Sequence, residues 1–191
     1  MNTIFEKGMN TGILLVDENA RPNEYILGCK VECEYEISKN DRYIIAIGDN
    51  VKREEVYKQL SDKQVGHCIS VVSEYSYIGS GVEIGEGTFI APNTYIGPLV
   101  KIGNNTIINT ASVIEHEVII GNNTHIAPQS TICGRTRIGN NVFCGVGSKI
   151  VDQVNICDNV VIGAGAVVIR DITEEGTYVG IPAQRIKYLQ R

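Results

Sequence analysis

The sequence predicts a mainly β protein: a parallel β-helix of about five coils, preceded by a small α/β unit. Three observations carry this. From Val72 an aliphatic residue recurs every six positions, through Ile78, Ile84, Ile90, Ile96, Ile102 and Ile108 to Ile138, and after Cys144 the series resumes with Ile150, Ile156, Ile162 and Val168. Four positions after each, the side chain is small or β-branched, as in Thr88, Thr94, Val100, Thr106 and Ser112. The first 70 residues show no such repeat.

A period of six fits neither a helix, whose period is 3.6, nor a flat two-sided strand, whose period is 2. It fits a coil of short strands that turns a corner in every hexad, with the aliphatic residue inside and Gly or Asn tolerating the corner backbone. Sixteen hexads run from 72 to 167 without an insertion. Three hexads make an 18-residue coil, so residues 18 apart lie above one another and the run makes about 5.3 coils.

Ahead of it, "GILLVD" and "RYIIAIGDN" read as short buried strands ending in acidic turns. "NVKREEVYKQLSDK" reads as an amphipathic helix with Asn50 near its start, and "VGHCISVV" as a strand leading into the prism. The division falls between an α/β unit over 1–70 and a β-helix with its tail over 71–191.

Composition narrows the function. A net charge of −5 and a pI near 5.2 argue against a nucleic-acid surface, and no apolar run is long enough to span a bilayer. The N-terminus lacks a signal-peptide layout, so the expected compartment is the cytoplasm. The six cysteines, at 29, 33, 68, 133, 144 and 157, form no CxxC pair and read as reduced structural thiols.

Two of the three histidines interrupt the repeat. His116 stands between Glu115 and Glu117, and His125 follows nine residues later. Third and sixth in their hexads, both are expected on the outside of the prism. Half a coil apart, they cannot stack on one corner, so cooperation would need two copies of the chain. A carboxylate beside an imidazole favours its charged form and suits a general base near neutral pH. No Ser or Cys stands beside His116 in sequence as a covalent nucleophile. With His67 outside the repeat, the ligand count argues against a metal. A solvated polar surface is the plain alternative.

"NTASVIEHEVIIGNNTHIAPQSTICG", followed by "IGAGAVVIRDI" and the tail "GTYVGIPAQRIK", resembles the hexapeptide-repeat sugar acetyltransferases of the sialic-acid O-acetyltransferase and bacillosamine-pathway N-acetyltransferase group. The resemblance covers nearly the whole chain and is most specific over 109–187. It implies a left-handed β-helix, a Rossmann-like nucleotide-sugar domain before it, acetyl-CoA as co-substrate without a metal, and a homotrimer acting in surface-glycan biosynthesis. His116 then corresponds to the catalytic base, Glu117 to the acid that raises its basicity, and Asn109 to an active-site asparagine. His125 corresponds to a histidine near the thioester on the neighbouring subunit, and Val146 and Ala164 to positions whose backbone touches acetyl-CoA. Their spacing of 18 stacks these two along one corner. Arg185 and Lys187 fall where cofactor phosphates would approach.

Asp17 and Glu18 correspond to paired acids of the nucleotide-sugar site, and Gly48 to its later glycine. The family's first strand and Gly-rich phosphate loop have no counterpart before "MNTIFEKGMNTGILLVDEN", which aligns from the middle of the helix after that loop. The α/β unit is therefore expected to be shortened, with unpaired sheet edges. The implied acceptor is an amino sugar such as a UDP-linked 4-amino-4,6-dideoxy sugar. O-acetylation of a sialic acid is the alternative, and a non-catalytic trimeric scaffold is the reading from another class.

Overall fold

The computed structural model describes residues 12–186, so the opening segment and Lys187 lie outside the described residues. The repeat folds into a three-sided prism. The first face is an eight-stranded sheet whose rungs run from Val71–Val72 through Phe89–Ile90, Ile107–Ile108, His125–Ile126 and Phe143–Cys144 to Val160–Ile162. The tail strands Gly176–Val179 and Gln184–Ile186 complete it. The second face holds six rungs, from Tyr77–Ile78 to Val167–Val168, and the third holds five, from Glu83–Ile84 to Asn155–Ile156. Pairing within the prism is parallel, with an 18-residue register such as Ile107↔His125↔Phe143↔Val161. This is the expected parallel β-helix.

Its interior follows the two rows read from the sequence. From Ile90 onward the aliphatic row is sealed: Ile90, Ile96, Ile108, Ile114, Ile126, Ile132, Ile150 and Ile162 are wholly buried, as is Cys144 among them, while Ile78 in the first coil is exposed. Each buried Ile side chain contributes about 2–3 kcal/mol. The small row is buried too, and its hydroxyls are satisfied by the next coil. Thr88 donates to the Gly103 carbonyl at 2.8 Å, Thr106 to Gly121 at 3.0 Å, Thr124 to Gly139 at 3.0 Å and Ser130 to Gly145 at 3.0 Å. A buried hydroxyl without such a partner would destabilise the fold by about 1–3 kcal/mol.

The corners refine the expectation for glycine. From Gly81 onward the fourth residue of each hexad takes the left-handed conformation, as at Asn93, Leu99, Asn105, Ala111, Glu117, Asn123 and on to Asn159. The glycine of "IG" stands two positions earlier and serves close stacking instead. A Cβ on Gly121 would lie 2.6 Å from the Gly139 backbone, and one on Gly103 would lie 2.7 Å from that of Gly121. The asparagines that follow such glycines form a ladder, in which the Asn104 amide N–H donates to Asn122 Oδ1 and that of Asn122 to Asn140 Oδ1, both at 2.8 Å.

Before the prism, β1 (Leu15–Val16) pairs in parallel with β3 (Cys29–Glu32), while β2 (Tyr25–Ile26) pairs with β3 antiparallel. β4 (Arg42–Tyr43), helix α1 (Asn50–Lys63) and β5 (His67–Cys68) form a β-α-β unit with β4 and β5 parallel. The strand expected over "RYIIAIGDN" is shorter, ending at Tyr43. A single Rossmann-like sheet is not formed among the described residues, because β1–β3 and β4–β5 are separate sheets. The helix is placed as expected: Asp49 caps it by accepting the Lys52 amide at 2.9 Å, and Gln64 closes it in the left-handed conformation. Its inner stripe is less apolar than an amphipathic helix implies, for Val51 is exposed and the fully buried residue is Arg53.

The two glycine positions make separable predictions for denaturant midpoints. Gly147 is left-handed with open space around it, so Gly147→Ala is expected to destabilise by about 1–2 kcal/mol, and Gly147→Asn by less. At Gly121 the obstacle is backbone, so Gly121→Asn is expected to be worse than Gly121→Ala.

Candidate active site

His116 and Glu117 sit at the edge between the second and third faces. The imidazole Nδ1 lies 3.0 Å from Glu117 Oε2, with the two side chains 44% and 49% exposed. An ionised carboxylate only accepts, so the Nδ1 proton is directed to it and Nε2 is left as the basic atom. One coil on, Gly134 leaves room for the ring, since a Cβ there would lie 2.7 Å from His116 Nε2. Glu115 occupies the preceding position with Cys133 next to it in register, and the pKa of this half-buried thiol is raised by its partial burial first and then by the Asp152 and Glu115 charges. A cysteine therefore stacks beside Glu115, the residue before His116, where sequence adjacency showed none. Its raised pKa keeps it a thiol rather than a nucleophilic thiolate.

His125 departs from expectation. It points outward from the first face, but the α/β unit covers it and leaves only 9% exposed. Its Nδ1 lies 3.1 Å from the Gly48 carbonyl and its Nε2 lies 3.2 Å from Asn109 Nδ2. A carbonyl cannot donate, so Nδ1 carries the proton and Nε2 accepts from the Asn109 amide. Asn109 is held the right way round because its Oδ1 accepts the Thr110 amide at 2.8 Å. Burial lowers the pKa of His125, the Gly48 bond opposes this, and the nearby Arg53 charge lowers it further. Phe143 packs edge-on against the ring, with centroids 5.3 Å apart.

Three of the residues singled out in the sequence thus converge: Gly48, Asn109 and His125. Val146 and Ala164 lie exposed one coil apart along the adjoining edge, between the first and second faces. His116 and Glu117 occupy the other side of the second face, so one chain does not bring all of these together. Asp17 is engaged in its own turn after β1, where Oδ1 accepts the Asn19 amide at 2.9 Å, with the exposed Glu18 beside it. Arg185 pairs with Glu174 within the tail. Among the described residues no group of three His, Cys, Asp or Glu could hold a metal ion, and no helix is long and apolar enough to cross a membrane.

The residue that sequence reasoning missed is Arg53. Wholly buried, it donates to the carbonyls of Asn105 at 2.9 Å, Ile47 at 3.0 Å, Gly48 at 3.2 Å and Asn123 at 2.8 Å, and to Asn50 Oδ1 at 2.8 Å. Burial brings its pKa down to about 10 despite Asp49 nearby, so it stays charged at neutral pH. Its only signal in the sequence was an arginine on the same helical stripe as Tyr57 and Leu60.

The depressed His125 pKa fixes a pH dependence. Below the ordinary value of 6.5 the unfolded chain binds a proton that folded His125 refuses, so this contribution is complete above that pH and is lost as pH falls toward the folded value. Urea midpoints are expected to fall between pH 7.5 and pH 5.5, and the fall should be smaller in His125→Gln.

Residues 99–134 match the bacterial transferase hexapeptide model (six repeats). No curated protein matches the chain. Among solved structures, PerB from Caulobacter crescentus in complex with CoA and GDP-perosamine is 29% identical with a TM-score of 0.75, over 77% of this chain and 70% of that one. WeeI from Acinetobacter baumannii AYE is 25% identical with a TM-score of 0.86, over 96% and 92%. The acetyltransferase domain of PglB from Neisseria gonorrhoeae FA1090 shares the fold, with a TM-score of 0.87 over 97% and 92% at 22% identity. In its repeat and its fold, the chain is similar to hexapeptide-repeat sugar acetyltransferases, among them the GDP-perosamine N-acetyl transferase of Caulobacter crescentus.

Proposed function

We propose that the protein is an acetyl-CoA-dependent acetyltransferase that acylates the amine of a nucleotide-linked amino sugar, working as a cytoplasmic homotrimer in surface-glycan biosynthesis. The observation that carries the reading is the exposed His116–Glu117 pair, with Nδ1 committed to the carboxylate and Nε2 free beside Gly134. A nucleotide-linked amine as acceptor is supported by a relative at 28% identity, a GDP-perosamine N-acetyl transferase crystallised with CoA and GDP-perosamine. Acidic neighbours, Glu115 and Asp152 besides Glu117, favour a cationic amine over a neutral hydroxyl.

Once the bound ammonium has released one proton to solvent, His116 Nε2 takes a second from the attacking amine as the new C–N bond forms at the thioester carbonyl. The C–S bond then breaks, and the imidazolium returns the proton to the departing CoA sulfur. Glu117 holds the ring and stabilises its charged form between these steps. The raised pKa of the Cys133 thiol argues against an acyl-enzyme route and in favour of direct transfer. Val146 and Ala164, exposed along one edge, would present their backbone to acetyl-CoA, with Asn109 and His125 nearer the thioester.

Trimerisation follows from the second face separating the two halves of this site. A neighbouring copy that lends its His116 edge completes it. On that face Tyr77 and Tyr95 stack with centroids 5.1 Å apart, and Tyr77 is 59% exposed, an apolar patch suited to burial between copies. Asp17, Glu18 and Gly48 would contact the nucleotide sugar from the α/β unit.

The test is thiol release from acetyl-CoA with UDP-, GDP- and dTDP-linked 4-amino sugars and free sialic acid offered separately. Turnover with a nucleotide-linked amine is expected; turnover with sialic acid alone would turn the reading to O-acetylation. His116→Ala is expected to lower kcat by about 10²–10⁴-fold with the melting temperature unchanged, and an unchanged rate would remove His116 as the base. Sedimentation should show three copies at micromolar concentration, and a monomer active at that concentration would refute the shared site.

A further inference from the structure

Arg53 is an unusual group to find wholly buried at the start of a helix. An ion of this kind is expensive to desolvate and is kept where its donors are fully used. Here they are. The guanidinium has five N–H bonds, and its contacts to Asn105, Ile47, Gly48, Asn50 and Asn123 supply an oxygen for each. Four of the five are backbone carbonyls. Two belong to the Ile47–Gly48 segment and two, from Asn105 and Asn123, to successive coils of the prism. Asn105 Nδ2 answers toward the Arg53 carbonyl at 3.3 Å and toward Asn123 Oδ1 at 2.8 Å, and Asn50 Nδ2 reaches the Val142 carbonyl at 3.0 Å.

A clamp for docking the helix would require no more than these contacts. The Gly48 carbonyl, however, also receives the Nδ1–H of His125. Arg53 therefore holds the acceptor that decides which nitrogen of His125 carries the proton. With the Gly48 carbonyl fixed, Nε2 must accept, and the Asn109 amide is turned to it while Oδ1 stays on Thr110. Without that carbonyl, the ring is free to place its proton on Nε2, opposing the Asn109 N–H and rotating the amide.

We propose that Arg53 is a positioning residue of the transfer site: by holding the Gly48 carbonyl against His125, it fixes the imidazole with its proton on Nδ1 and thereby orients the Asn109 amide. This rests on the acetyltransferase reading for its consequence in rate, but not for its geometry. Arg53 touches neither reacting group. It acts through a carbonyl, a ring and an amide, and its positive charge also disfavours an imidazolium at His125.

The experiment reads the ring nitrogens of His125 by 15N NMR at pH 7.5 in the full chain and in Arg53→Lys, which keeps the charge but lacks the fork. In the unaltered protein a single neutral tautomer protonated at Nδ1 is expected; an Nε2-protonated ring overturns the proposal. In Arg53→Lys the ring is expected to show both tautomers, with kcat reduced about tenfold or more and KM for acetyl-CoA little changed. If Arg53→Lys lowers the melting temperature yet keeps one tautomer and the full kcat, Arg53 is a docking clamp only. Asn50→Ala, at the half-buried helix start, removes one acceptor of the guanidinium and is expected to cause the same change in smaller measure. A ring unaffected in both variants also overturns the proposal. The ring signals need no turnover, so a protein inactive toward every acceptor refutes the acetyltransferase reading separately from this one.

Discussion

Each coil of this protein rests directly on the next at an 18-residue register, and the room between successive backbones governs everything else. Where two coils pack at bare backbone distance, as at Gly121 over Gly139, no Cβ fits. Where the chain turns, one residue per hexad must be left-handed. The inward hydroxyls find carbonyls only because the next coil is within 3 Å or so of them. The candidate base pair comes from the same constraint. In an extended strand, neighbouring side chains point to opposite faces, so His116 and Glu117 could not meet there. Glu117 occupies a left-handed corner, with φ of 59°, and that turn brings its carboxylate to Nδ1 of the residue before it. The left-handed corner costs Glu117 about 1–3 kcal/mol, as it does Leu99, Ala111, Gln129 and Arg135 at the equivalent corners.

The same prism holds two imidazoles in opposite environments. His116 is half exposed, faces a carboxylate and keeps Nε2 open. His125 is sealed between Gly48, Asn109, Phe143 and the Arg53 charge, and its pKa is lowered by burial first. One environment suits proton transfer and the other suits a fixed, neutral hydrogen-bonding element. Residue type did not separate these roles; the cover placed over the outer surface did.

The prism itself was legible because its period is rigid. Ile108, Thr124 and Cys144 went where counting by six put them, and Asn50 marked the helix start to within one residue of its Asp49 cap. The His116–Glu117 contact was legible from adjacency. What the sequence did not disclose depends on how the first 70 residues lie against the prism. His125 was read as external because the repeat alone says outward, and nothing in the hexads reports what covers a face. Arg53 was invisible for the same reason: its partners are carbonyls at 47, 48, 105 and 123, and backbone acceptors leave no mark in a sequence. Cys133 came beside Glu115 through stacking, since residues 115 and 133 share a register while lying a full coil apart in the chain.

The separation of the two edges then bears on why the α/β unit matters to the β-helix. His116 needs only its own corner, with Glu117 and Gly134. His125 and Asn109 need Gly48, and Gly48 is held by Arg53 on α1. The half of the site on the first face is therefore formed by two parts of the chain, and the other half by the prism alone. A change that loosens α1 should disturb the Asn109–His125 side while leaving the His116–Glu117 geometry untouched. Loss of the α/β unit would leave the base in place and remove the carbonyl that sets the tautomer of its counterpart. In that sense the N-terminal unit already belongs to the candidate site through a single backbone oxygen.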